Sequence, residues 1–204
     1  MANTDSPFGL RPHNKLGQNT NSMGLTPYKI QIAGVAGSSS AIHQGDMVIP
    51  LTNGLVDVSA ADAGSVAILG VMAGCEYTAL DGTPTFDNKY PGTASLKSGT
   101  EATVFVYDDP HQVYECQADA SLTNLATATA LIHSNAEGTG FGSENANGVS
   151  SGEISVSTAG ATTTSDNFRI VGIKDVPGID FASAGVVLLV KLNIPHHTST
   201  TGIA

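Results

Sequence analysis

The sequence predicts an all-β protein: an antiparallel barrel or sandwich, preceded by an extended N-terminal arm and carrying at most a short helix. Three observations predict it. Short apolar or alternating runs recur from residue 28 onward, separated by Gly, Pro, Asn and Asp. No alternation of strand and helix patterns appears, which argues against a parallel α/β sheet. Finally, 41% of residues are hydrophobic and only 13% charged, so the 204-residue chain can fill a core and is too apolar to be disordered throughout.

The arm comes first. Residues 1–27 are polar and rich in Asn and Gly, with no helical or strand period, and their few apolar points are Pro7, Phe8, Leu10 and Pro12. Pro7 and Pro12 restrict the backbone toward extended forms, and alternation then puts Phe8 and Leu10 on one side, able to dock into a groove on another surface. Residues 28–204 form the body. Strands are expected at 28–32, 47–50, 55–58, 66–73, 102–107 and 113–117, then at 153–157, 167–173 and 185–192. Thr103-Val104-Phe105-Val106-Tyr107, the turn Asp108-Asp109-Pro110 and the alternating run that follows read as a hairpin. Residues 118–132 could form one or two helical turns capped by Asp119 or Ser121, because the threonines at 123, 127 and 129 lower the propensity. The glycines and asparagines of 138–148 read as a surface excursion within 133–165.

Chemical motifs are few, and each has a plainer account. Gly148-Val149-Ser150-Ser151-Gly152 matches the G-x-S-x-G of α/β-hydrolases, with Asp166 or Asp175 and then His196 or His197 following in chain order. A Gly/Asn loop precedes the serine where a buried strand should stand, and no helix follows, so no catalytic residue is assigned. His196 and His197 are adjacent and lack the i, i+4 spacing that grips zinc, which leaves a solvated tail. His13, His43, His111 and His133 are scattered among polar neighbours and read as surface or turn residues. Asp108-Asp109, Asp57, Asp62, Asp81 and Asp87 fall in turn-rich stretches without a calcium-loop pattern. Gly138-x-Gly140-x-Gly142 has no strand before it or helix after it and reads as a flexible loop tip. No metal or cofactor site is expected.

Charge and cysteine usage narrow the function classes. Eight Lys plus Arg against eighteen Asp plus Glu give a formal charge of −10, the wrong sign for a nucleic-acid partner. The longest apolar runs, 66–73 and 186–190, fall far short of the roughly 18 residues of a membrane span, and no signal peptide is evident. Cys75 and Cys116 lie far apart in sequence and fit a reduced compartment as unpaired, packed thiols.

The opening Met1-Ala2-Asn3-Thr4-Asp5-Ser6-Pro7-Phe8-Gly9-Leu10-Arg11-Pro12 resembles the start of a family of tailed-bacteriophage virion proteins that begin M-A-N-T-D-x-P-F-G-L-R-P. Gln44-Gly45-Asp46-Met47-Val48 resembles that family's G-D-x-V strand, and Ile68-Leu69-Gly70-Val71-Met72-Ala73-Gly74 its central small-residue strand. Phe168-Arg169-Ile170-Val171-Gly172 and Val190-Lys191-Leu192-Asn193 look like its closing strands. The likeness spans the chain and is strong at the N-terminus. It implies a capsid decoration, or cement, protein with a β-tulip or barrel-like body, gathered as trimers on the outer face of the major capsid protein lattice and made in the host bacterial cytoplasm. It also implies that Pro7, Phe8, Gly9, Leu10, Arg11 and Pro12 form the capsid-docking arm, with no enzymatic activity. The alternative is a receptor- or glycan-binding module at the tail or capsid surface, for which the chain has few exposed-aromatic candidates: Tyr77, Phe86, Tyr90 and Phe141.

Overall fold

The computed structural model describes residues 3–16, 24–35, 37–59, 66–160, 162, 164, 166–174, 177–200 and 202. Asp62 and Asp175, parts of the arm and parts of 158–165 lie outside them. The described chain is all-β. In order it forms β1 (Arg11–Lys15), β2 (Thr26–Gln31), β3 (Ile42–His43), β4 (Met47–Pro50), β5 (Val56–Val58), β6 (Gly70–Thr78), β7 (Pro84–Asp87) and β8 (Lys89–Tyr90). After these come β9 (Ala102–Tyr107), β10 (Gln112–Gln117), α1 (Leu125–Ala130), β11 (Asn135–Ala136), β12 (Gly138–Thr139), β13 (Glu153–Ile154), β14 (Phe168–Ile173) and β15 (Val187–Leu192). No described helix is long and apolar enough to cross a membrane.

Two antiparallel sheets dominate. One has five strands in the order β1-β10-β15-β14-β11; the other has six, β2-β9-β6-β4-β5 with β7 also paired to β6. Both stay open, so among the described residues no barrel closes. Strand alternation explains how two cores share one wall. Met47 on β4 and Val71 on β6 face the core of the five-stranded sheet, while the next residues, Val48 and Met72, face the core of the six-stranded sheet. All four side chains are fully buried. The first core gathers Tyr114, Cys116, Phe168, Ile170, Leu188 and Val190; the second gathers Ile30, Ile42, Tyr90, Val104 and Val106.

The expected hairpin across Asp108-Asp109-Pro110 is not formed, because β9 and β10 belong to different sheets. β9 pairs β2 and β6, whereas β10 pairs β1 and β15. Every residue of β10 is buried, so the strand needs partners along both edges and cover on both faces, which a lone hairpin mate could not supply. The acidic turn survives as a crossover. Asp109 accepts the His111 N–H at 2.8 Å and pairs with Lys15 at 2.5 Å, and Asp108 takes the Tyr28 hydroxyl at 2.8 Å.

Three further expectations are corrected. The helix is short as expected, but Asn124 caps it by accepting the Thr127 N–H at 2.9 Å, while Asp119 instead accepts the Val156 N–H at 2.8 Å. The segment 133–165 is not simply a surface excursion, since Ala136, Phe141, Ser150 and Ile154 are buried in it. Phe141 makes this possible: its ring stacks on Phe168 at 5.7 Å and sits where a Cβ on Gly138 or Gly152 would stand. The glycines clear space for a ring, so the loop tip is packed. The histidine tail is exposed from His197 onward as expected, and it is also held, with the His196 N–H donating to the Ile68 carbonyl at 2.8 Å and His197 lying 3.3 Å from Asp108.

Candidate functional site

The six residues singled out in the arm remain together, and the structure seats them on the chain's own body. Residues 3–6 are tied first: Asn3 donates to the Asp180 carbonyl at 2.7 Å, and the Ser6 N–H donates to Gln117 Oε1 at 3.1 Å. The Pro7 carbonyl accepts from the Asn145 amide, and the Leu10 N–H donates to the Gly45 carbonyl at 3.0 Å. Arg11 and Pro12 then open β1, opposite Glu115 and Tyr114.

Gly9 changes how the motif is presented. Its φ of +68° interrupts the extended backbone that would align Phe8 with Leu10, so the expected common face is lost. Leu10 turns into the first core at 2% exposure, whereas Phe8 is half-buried with the exposed Arg11 guanidinium 4.2 Å from its ring centre. Cation–π attraction, worth about 0.5–1 kcal/mol at an exposed site, favours this pairing. Beside it a cavity of about 300 Å³ is lined by Phe8, Leu10, Arg11, Pro12, Gln44, Gly45, Met72, Tyr107 and Val149. Its walls mix apolar side chains with Gln44 and Tyr107, and its rim carries one cation.

Two turns clamp the arm. In the β3–β4 turn Gly45 adopts a φ of +93°, and a Cβ there would lie 2.9 Å from the Phe8 carbonyl oxygen. From the other side Ser150 presses on Gly9, where an added Cβ would lie 2.6 Å from the serine Cβ. Ser150 is fully buried, its N–H donates to the Gln44 carbonyl, and its Oγ accepts the Gly152 N–H at 3.0 Å. The G-x-S-x-G segment therefore serves as a clamp on the arm, and its hydroxyl is shielded from solvent.

A charged network behind the clamp was missed by sequence reasoning. Asp46, fully buried, accepts the His43 N–H at 2.8 Å, His43 Nδ1 at 3.2 Å and the Gly142 N–H at 2.9 Å. His43 opens the β3–β4 turn, its carbonyl accepting the Asp46 N–H at 2.9 Å, so it is a turn residue as read, but at 3% exposure it is not a surface one, and its Nε2 lies 3.7 Å from Glu144. Glu144 also pairs with Lys89, whose ammonium holds the carboxyl below its usual range. The sequence reading placed Gly45 and Asp46 in a strand, and nothing in the sequence pattern linked either to Glu144.

A second buried carboxylate anchors β1. Burial pushes Glu115 upward, but bonds from Lys174 at 2.6 Å and His13 at 2.8 Å outweigh it and hold the group below its ordinary range. Both cysteines are free and buried, Cys75 in the second core and Cys116 in the first. Burial, with the Asp87 charge adding to it, pushes the Cys75 thiol to about 12, and burial raises Cys116 as well, so both stay as inert thiols. Among the described residues no group of His, Cys, Asp or Glu is placed to hold a metal ion. Comparison with family models, with curated proteins and with solved structures returns no match for this chain.

Proposed function

We propose that this chain is a tailed-bacteriophage capsid decoration protein that binds the outside of the major capsid protein lattice as a trimer and stabilises the head. One observation carries the reading: the twelve-residue opening that resembles virion proteins, in which Phe8 and Arg11 remain accessible while Leu10 is buried. The route of binding differs from an arm reaching into a neighbour. Leu10 anchors the motif to its own core, and Phe8 with Arg11 forms a platform beside a partly apolar cavity. A capsid segment bringing an apolar side chain to that cavity and a carboxylate to Arg11 meets both features without ordering the arm first. Many copies on one shell then add avidity. This reading gives Ser150 no catalytic role.

Imaging the purified virion at a resolution that separates shell from decoration tests it. The expected result is density for this fold at regular positions on the outer shell. Density confined to the tail would favour a receptor- or glycan-binding role and overturn the reading.

A further inference from the structure

Three side chains from distant parts of the chain meet at the acidic crossover, and each carries an atom that can ligate a metal. Tyr28 stands on β2, Asp108 in the crossover that follows β9, and His197 in the 3₁₀ turn His196–Thr198 beyond β15. The backbone holds all three in place. Register sets Tyr28 opposite Val104 of β9, the Gln112 N–H closes the crossover on the Asp109 carbonyl at 3.0 Å, and the Ser199 N–H closes the turn on the His196 carbonyl at 3.0 Å. The Tyr28 hydroxyl donates to Asp108 Oδ2 at 2.8 Å, and His197 Nε2 lies 3.2 Å from that hydroxyl oxygen and 3.3 Å from the same Oδ2. Two oxygens and a nitrogen thus form a nearly equilateral triangle.

The edges of this triangle have the lengths of a coordination face. With metal–nitrogen and metal–oxygen bonds of about 2.0–2.1 Å, neighbouring donors stand about 2.9 Å apart in an octahedron and about 3.3 Å apart in a tetrahedron. Charge agrees with geometry. Lys15 pairs with the neighbouring Asp109 at 2.5 Å, and among the described residues Asp108 has no Lys or Arg partner. The His197 and Asp108 side chains are 41% and 20% exposed, so water can reach the triangle and complete a coordination shell. We propose that Tyr28, Asp108 and His197 bind a first-row transition-metal ion, iron(III) by preference, because a carboxylate and a phenolate are hard anionic donors beside the imidazole. Burial, with the bond and charge of Asp108 adding to it, holds the Tyr28 phenol above its usual range, so the phenol keeps its proton until the entering ion displaces it to solvent. The two adjacent histidines need not grip the ion together, since His197 takes its companions from β2 and the crossover. The bound ion staples the edge strand of the six-stranded sheet to the crossover into the five-stranded sheet and to the chain beyond β15.

The probe is iron(III), supplied to the full-length protein as its nitrilotriacetate complex and read by the visible phenolate-to-iron charge-transfer absorption that a coordinated tyrosine gives. The expected result is an absorption that saturates at a single ion per chain, with a higher melting temperature in the presence of the ion. Tyr28→Phe should abolish the absorption, Asp108→Asn and His197→Ala should weaken binding about tenfold or more, and His196→Ala should leave it unchanged. An unaltered far-ultraviolet spectrum verifies that each metal-free variant is folded. No absorption from the parent, absorption retained by Tyr28→Phe, or equal losses from His196→Ala and His197→Ala overturns the proposal. Should Tyr28→Phe fail to fold, the exposed His197→Ala decides, and undiminished binding by it overturns the proposal as well.

Discussion

Gly9 decides the path of the arm, because only a residue without a side chain can hold a φ of +68° with Ser150 pressed against it. Gly9→Ala combines left-handed strain with a clash, so it should cost about 2 kcal/mol or more and lower the melting temperature by about 4–8 °C. A calorimetric scan showing no change would mean that the clamp around Gly9 is not closed in solution. Glu153 offers a test of pH dependence. Burial, together with the charges of Asp5 and Asp119, raises its carboxyl to about 7. The folded protein therefore holds a proton that the unfolded chain releases near pH 4.5, and stability falls as pH rises from there through 7. Glu153→Gln should remove that loss, gaining about 1 kcal/mol at pH 8 after allowance for solvent screening and almost nothing at pH 4. Denaturant titrations at the two pH values check the sign. At this scale the sequence was partly legible. Gly45 and Asp46 were read only as part of a strand, and the burial of Asp46 and His43 depends on Gly142 and Glu144, about a hundred positions away, a meeting that no local pattern records.

At the level of elements, strands that carry their own apolar alternation were readable, and those that borrow stability from neighbours were not. β4 and β9 appear at the expected positions because the first is a continuous apolar run and the second a run of β-branched and aromatic residues. β1 has the sequence Arg11-Pro12-His13-Asn14-Lys15, with no apolar face at all. It pairs with β10 because Leu10 anchors one end in the core, His13 meets Glu115, and Lys15 meets Asp109. The hairpin misread has the same origin, since local turn chemistry fixes a reversal of direction but not the sheet that the next strand joins. Leu10→Ala should therefore destabilise the isolated protein by about 2–4 kcal/mol, the usual cost of a buried leucine in a core. Deletion of residues 1–15 should expose the edge of β10 and cause aggregation. A deletion variant that stays soluble with unchanged unfolding would show that the arm is not part of the fold.

Across the whole molecule, low charge density, two open sheets and a surface-held motif suit a protein that works by contact and repetition. The fold class was legible because it depends on composition and periodicity summed over many residues. The motif was legible as a sequence, but its docking in cis was not, since a dozen residues with four apolar points do not reveal which surface they meet. Equilibrium sedimentation of the isolated protein should give a trimer, and a monomer at all concentrations would leave the lattice as the only source of symmetry. The most direct test of the central claim adds purified protein to undecorated shells of the major capsid protein, with the Phe8→Ala/Arg11→Ala variant alongside. Saturable binding to the outer face is expected, with a higher rupture temperature of the shells and at least tenfold weaker binding by a variant that remains folded because Leu10 is intact. Absence of binding by the parent, or undiminished binding by the variant, would contradict it.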